Sequence, residues 1–182
     1  RRKLLNLQKP NSDRRHTIAV LVDNEPGVLA RVIGLFAGRG YNIESLTVSE
    51  IDSVKGYSRI TIVTSGTDMV IEQIKALLDR LVPVHMVEDL TVQGPCLERE
   101  LALVKVVNAG ESRIEALRIA DMFRARAIDS TLNSFVFELT GSPEKLNAFI
   151  ELMSGLGKTE ITRGGVVAMA RGSGIGLQNA KS

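Results

Sequence analysis

The stretch HTIAVLVDNEPGVLARVIGLFAG, residues 16–38, decides the fold. Residues 16–22 form a short apolar run rich in β-branched side chains, which predicts a buried strand. Asp23-Asn24-Glu25-Pro26-Gly27 breaks that run. From about 26 to 38, Val28, Leu29, Val32, Ile33 and Phe36 recur at helical spacing and form one apolar face. Gly38 and Gly40 stop the helix. Both alternating sets of the strand are apolar, Ile18, Val20 and Val22 against Ala19 and Leu21. That predicts burial on both faces of the sheet, by another copy or another domain.

Outward from this unit the pattern continues. Residues 42–50 and 57–64 alternate as strands around the turn-like Asp52-Ser53-Val54-Lys55-Gly56. Thr67 can cap a second helix whose apolar set is Val70, Ile74, Leu77, Leu78 and Leu81. A strand at about 84–92 completes βαββαβ. The order then repeats, with a strand at 100–107, a helix at 111–126 carrying Ala116, Ile119, Ala120 and Phe123, and strands at 127–132 and 134–140. Ser142-Pro143 starts a helix with Leu146, Phe149, Ile150 and Met153 on one face, and short strands near 158–162 and 166–170 follow. Two anchors align the halves. Phe36-Ala-Gly-Arg39 matches Phe123-Arg-Ala-Arg126, and Gly66-Thr67 matches Gly141-Ser142. Their spacing leaves a shorter central hairpin in the second half. The fold class is therefore α+β, two tandem ferredoxin-like βαββαβ domains, each an antiparallel sheet with two helices on one face. The expected boundaries are a flexible basic arm 1–15, a first domain 16–93, a linker 94–97 at Gln93-Gly94-Pro95-Cys96, a second domain 98–171 and a disordered tail 172–182.

Charge and composition limit the function. With 182 residues and 44% hydrophobic content the chain can bury real cores. Residues 1–16 carry a net +5 and the last twelve add +2, so the body between them nets −5 against the overall +2. An acidic body is a poor partner for nucleic-acid phosphates. No apolar run approaches the ~20 residues that span a bilayer. The N-terminus is basic without a secretory apolar core, which points to the cytoplasm and leaves an organelle matrix open if that segment is a targeting remnant. The single cysteine, Cys96, gives no disulfide framework and fits a reducing compartment.

No catalytic constellation stands out. His16 and His85 begin strands far apart and lack further ligands at metal spacing, which favours structural or exposed roles. Cys96 lies in the linker without an adjacent base. Ser142-Pro143-Glu144-Lys145 fits S-x-x-K in form, but a capped helix start accounts for it. The Gly172-Ser-Gly174-Ile-Gly176 run opens no strand–turn–helix unit. Phe135 and Phe137 share a strand face, as base-stacking aromatics would in an RNA-binding relative of this topology, but core packing is the expectation.

The turn at 23–29 is the remaining candidate. The amides of Gly27, Val28 and Leu29 at a helix N-terminus suit a carboxylate. Gly27 presents no side chain, and Asn24 can cap the helix or bind a ligand's ammonium and carboxylate. Asn42 starts the next strand, expected beside the first. A plain capped helix and a strand-entry asparagine account for the same residues.

Asn24-Glu25-Pro26-Gly27-Val28-Leu29 resembles the start of an ACT domain, an amino-acid-sensing module. RGYNIESLTV (39–48), ERELALVKV (98–106) and FRARAID (123–129) add a resemblance to the regulatory (small) subunit of acetolactate synthase, also called acetohydroxyacid synthase, over about 16–171. The resemblance implies an N-terminal ACT domain and an ACT-like C-terminal domain. It also implies that ACT domains pair as a homodimer with valine, isoleucine or leucine at their interface. The carried-over contacts are Asn24, Gly27, Val28 and Leu29 of one chain with Asn42 and Ile43 of the other. The implied role is non-catalytic: activating the catalytic (large) subunit and conferring feedback inhibition in branched-chain amino-acid biosynthesis. Thiamine diphosphate, Mg²⁺ and FAD would belong to that partner, a transferase. Family members often have a small polar residue at position 26. Proline there removes one amide donor. The alternative is a free-standing ACT-type transcriptional or signalling regulator, which would need a DNA-binding element; the sequence offers no helix-turn-helix and only a short basic arm.

Overall fold

In a computed structural model of the chain, which describes residues 12–174, the first unit contains β1 (Arg14–Asp23), α1 (Val28–Ala37), β2 (Ser45–Asp52), β3 (Tyr57–Gly66), α2 (Asp68–Asp79) and β4 (Val84–Asp89). The second contains β5 (Cys96–Val107), α3 (Glu111–Phe123), β6 (Arg126–Ser130), β7 (Ser134–Gly141), α4 (Pro143–Ser154), β8 (Lys158–Arg163) and β9 (Val167–Ala170). The two compact units divide between Cys96 and Leu97. Their sheets run β2-β3-β1-β4 and β6-β7-β5-β8, with β9 added beside β5. This is the ferredoxin-like order twice over, so the α+β duplication is as expected.

Register places the apolar sets together. Ile18 faces Ile62 and Val20 faces Ile60 across β1 and β3. With Val22 they meet Val32 and Phe36 of α1 and Ile71, Ile74 and Leu78 of α2 in one core. Each such side chain contributes about 1.5–3 kcal/mol on burial. Ala19 and Leu21, on the other face by alternation, are equally buried, as their apolar character predicts. In the second unit Val104, Val106, Phe137, Leu146, Phe149 and Met153 form the core. Phe137 meets Phe149 edge-on with centroids 6.0 Å apart. Phe135 and Phe137 are core residues, 4% and 0% exposed.

The caps explain where α2 and α4 begin. The Thr67 hydroxyl accepts from the Val70 amide, and Ser142 accepts from Lys145. Several boundaries move. β1 starts at Arg14, inside the segment expected to be a flexible arm. β5 starts at Cys96, inside the expected linker. In both cases pairing with neighbouring strands extends the ladder beyond the hydrophobic run that marked it. Arg14 pairs with Gly66, and its guanidinium donates to Asp68 at 2.6 Å. The remaining expectations for the arm and the tail, at 1–11 and 175–182, lie outside the described residues.

The Arg14 hydrogen bond holds the Asp68 carboxyl below its usual range. A carboxyl depressed on folding adds stability above its unfolded value, which is lost as pH falls through the folded one. Arg14→Gln should lower the melting temperature at pH 7, and the difference should vanish in acid well below the ordinary carboxylate range. Both groups are exposed, so the difference should also shrink in high salt. Thermal melts across pH at two salt concentrations check this.

Candidate functional site

The β1–α1 turn is built from the end of a buried strand and a helix with no side-chain cap. The Asn24 amide donates to the Gly56 carbonyl at 2.7 Å, and that of Asp23 to Pro83 at 2.9 Å. These bonds fix the strand end. Gly27 is the residue before the helix, left-handed at φ 85°, and no side chain caps α1. The expected cap from Asn24 is therefore absent. The chain takes four residues to turn from Asp23 into α1, and glycine supplies the left-handed geometry that closes the turn. Nothing lies within 4 Å of where a Gly27 Cβ would stand. Val28 is buried at 5% exposure, and its amide reaches the Glu25 carbonyl only at 3.4 Å. Leu29 is half-buried against the core.

Asn42 and Ile43 lie at the other end of α1. Thr64 Oγ1 donates to the Asn42 carbonyl at 2.7 Å, while the Asn42 residue is exposed. The preceding Tyr41 is anchored by its hydroxyl to Gln73 at 3.1 Å and by an edge contact to Phe36 at 6.4 Å. Ile43 packs partly on the core. Contrary to expectation, Asn42 does not start a strand beside β1. β2 begins only at Ser45, and β3 separates it from β1. The split-βαβ crossover inserts the third strand next to the first and sends the second to the edge.

The candidate residues thus form two groups. Asn24, Gly27, Val28 and Leu29 are at one end of the 10-residue α1, with Asn42 and Ile43 at the other. Ten helical residues span about 15 Å, so one chain does not bring both groups to one small ligand. What the first group offers is a set of first-turn amides aimed outward from an uncapped helix, with the positive end of its dipole and open space beside Gly27. That arrangement fits a carboxylate.

Each histidine has a carboxylate partner. His16 Nδ1 and Asp89 Oδ2 are 2.8 Å apart in the interior, at side-chain exposures of 3% and 2%. Asp89 also accepts from the Thr91 amide. His85 Nε2 and Asp23 Oδ1 are 2.6 Å apart, and the His85 ring stacks at a tilt on Tyr57, 4.8 Å between centroids. These partners are 62 and 73 residues away in the chain, a separation that periodicity does not reveal. Among the described residues no group of three His, Cys, Asp or Glu side chains is placed to hold a metal ion. No described helix is long and apolar enough to cross a membrane.

Comparison with known proteins adds identity to this geometry. Residues 18–86 match the model of the acetohydroxyacid synthase small subunit-like ACT domain. Residues 99–172 match that of the small subunit of acetolactate synthase. A probable acetolactate synthase small subunit of Archaeoglobus fulgidus is 47% identical over 159 residues, covering 87% of this chain and 98% of that protein. The isozyme 3 small subunit of Escherichia coli is 44% identical over 162 residues, covering 88% and 98%. The crystal structure of the Thermotoga maritima small subunit superposes with a TM-score of 0.79 at 39% identity, covering 88% of this chain and 99% of that one.

Proposed function

The chain belongs to the acetolactate synthase small-subunit family, and from that premise we propose that it binds a branched-chain amino acid between two copies of its first unit and so regulates a catalytic large subunit. In this reading the chain itself performs no chemistry. Thiamine diphosphate, Mg²⁺ and FAD belong to the partner. Binding of the large subunit raises its turnover, and valine, isoleucine or leucine reverses that gain.

The observation that carries the reading is the placement of the two groups at opposite ends of α1, beside an edge strand. β2 ends its sheet, and Val48 and Ile51 on it are 47% and 51% exposed, with Ile33 of α1 at 37%. A two-fold pairing through β2 sets the two α1 helices antiparallel. The Gly27 turn of one protomer then meets Asn42 and Ile43 of its partner. Such pairing covers the exposed apolar side chains and completes the site. The first-turn amides and Gly27 receive the carboxylate, and Asn42 reaches the same ligand from across the interface. Pro26 offers no N–H, so the contacts fall to Gly27 and the residues after it.

The regulatory step requires that the amino acid favour one arrangement of the pair over another. A ligand with equal affinity for both shifts nothing. In this proposal the bridged dimer is the form less able to activate the large subunit.

Reconstitution tests the reading. The chain alone should make no acetolactate. Adding it to a matching large subunit should raise turnover and introduce valine sensitivity. If neither property changes, the regulatory reading fails. Asn42→Ala should weaken valine binding about tenfold or more, the scale of a hydrogen bond to a charged group, and leave activation in place. Calorimetry on the folded variant measures the affinity, and an unaltered value would remove Asn42 from the site.

A further inference from the structure

The geometry points to His85 as a positioning residue for the amino-acid site of the first unit, acting through Asp23 at the entry to the β1–α1 turn. The inference rests on the reading of that turn proposed above and adds a residue which that reading does not use.

His85 stands at an irregularity in the sheet. β1 and β4 pair Leu21 with Met86 but Val22 with Val84, so His85 is the extra residue of a β-bulge. A bulge bends its strand and re-aims the side chain at that point. Here the ring is aimed at the end of β1, with Nε2 2.6 Å from Asp23 Oδ1. A carboxylate only accepts, so Nε2 carries the proton and donates it. Tyr57, paired with Asp23 across β1 and β3, backs the ring at 4.8 Å between centroids. The two side chains are 27% and 33% exposed, so this bond to a charged group is partly shielded from water.

The bond falls where the turn leaves the sheet. Asp23 is the last residue of β1. Its amide donates to Pro83 at 2.9 Å, two residues before His85, and the Asn24 amide donates to Gly56 at 2.7 Å. The starts of β3 and β4 thus hold Asp23 and Asn24 from both sides, by main chain and by side chain. Beyond that point the turn is free of the sheet. Asn24 to Gly27 are all exposed, and they carry Gly27 and the first amides of α1 toward the ligand. By alternation with Val22, which joins the core, the Asp23 side chain lies on the face away from the helices. Neither it nor His85 is placed to touch the ligand. Their part is to keep the turn in its ligand-ready geometry, so that the ordering cost is met before the amino acid arrives. Without the bond the turn spreads over several geometries, and affinity falls with the fraction that stays competent.

Titration calorimetry of the full chain with L-valine tests this in the wild type, His85→Leu, His85→Gln, Asp23→Ala and the His85→Leu/Asp23→Ala double variant, with thermal melts to confirm that each is folded. His85→Leu should weaken binding about tenfold, as when the competent fraction falls to about one tenth. His85→Gln, which returns a donor at the same reach, should bind within about threefold of the wild type. In the Asp23→Ala background, His85→Leu should change affinity less than about twofold, because the two residues act as one unit. If His85→Leu binds valine like the wild type while Asn42→Ala binds it weakly, the positioning role is overturned and the site stands, whatever the melting temperature. If His85→Gln is as weak as His85→Leu, or if His85→Leu costs as much without Asp23 as with it, the bond is not what sets the affinity and the proposal is likewise overturned. A wild type that binds no valine, isoleucine or leucine overturns both the site and its positioning residue.

Discussion

Gly27→Asn should abolish the response to valine while leaving the fold and the activation of the large subunit intact. Position 27 is left-handed, and asparagine enters that region more readily than other side chains. A Cβ there meets nothing within 4 Å, so the folded chain accommodates the new side chain. It occupies the space in which the amino-acid ligand is proposed to sit. Gly27→Val adds backbone strain of about 1–3 kcal/mol to the same obstruction. Both variants should lose valine affinity by tenfold or more, about 1.4 kcal/mol, and only the valine variant should melt appreciably lower. The pair separates occlusion from strain. A Gly27→Asn chain that binds valine like the wild type would show that the turn is not where the ligand sits.

Arg163→Ala should produce a large loss of stability in the second unit. Glu100 is 5% exposed, and Arg163 holds it with two hydrogen bonds, Nε to Oε1 at 3.0 Å and an Nη to Oε2 at 2.6 Å. Removing the guanidinium leaves the carboxylate with the Gly165 amide at 3.3 Å as its remaining donor. Stranding a buried charge costs about 3–5 kcal/mol, and the partial exposure of Arg163 reduces this to roughly 2–4 kcal/mol as water reaches the gap. For a unit of this size that is a fall of roughly 10–20 °C in melting temperature. Glu100→Gln, which removes the charge and keeps the shape, should cost less. Melting curves of both variants at pH 7 check the order. If Glu100→Gln is the more damaged of the two, the guanidinium is not the group that keeps the carboxylate buried.

Much of this architecture is written in local patterns. The apolar alternation of Ile18, Val20 and Val22, the period of Val28, Val32 and Phe36, and the caps Thr67 and Ser142 depend on neighbours within one turn or one strand, and each appears as expected. Ile71, buried at 1% exposure, fell outside the anticipated face of α2 because Val70 fits the period nearly as well. Only the approach of β3 and α1 selects between them. The candidate turn was visible through its glycine and asparagine. The sequence also suggested Asn24 as a cap, which the structure does not form, since a capping bond depends on the exact path from Asp23 to α1.

Sequence by itself determined the class of fold, its duplication and the two segments that carry the proposed effector site, because these follow from the order of hydrophobic periods and from turn residues. Tertiary structure decided that Asn24 and Asn42 lie at opposite ends of α1 and that β3 stands between β1 and β2. It also made the pairs His16–Asp89 and Glu100–Arg163, whose members are 73 and 63 residues apart. The physical reason is range. Period and propensity act over a few residues. The partner of a buried charge and the neighbour of a strand are set by which distant segments the packed sheet brings within hydrogen-bond distance.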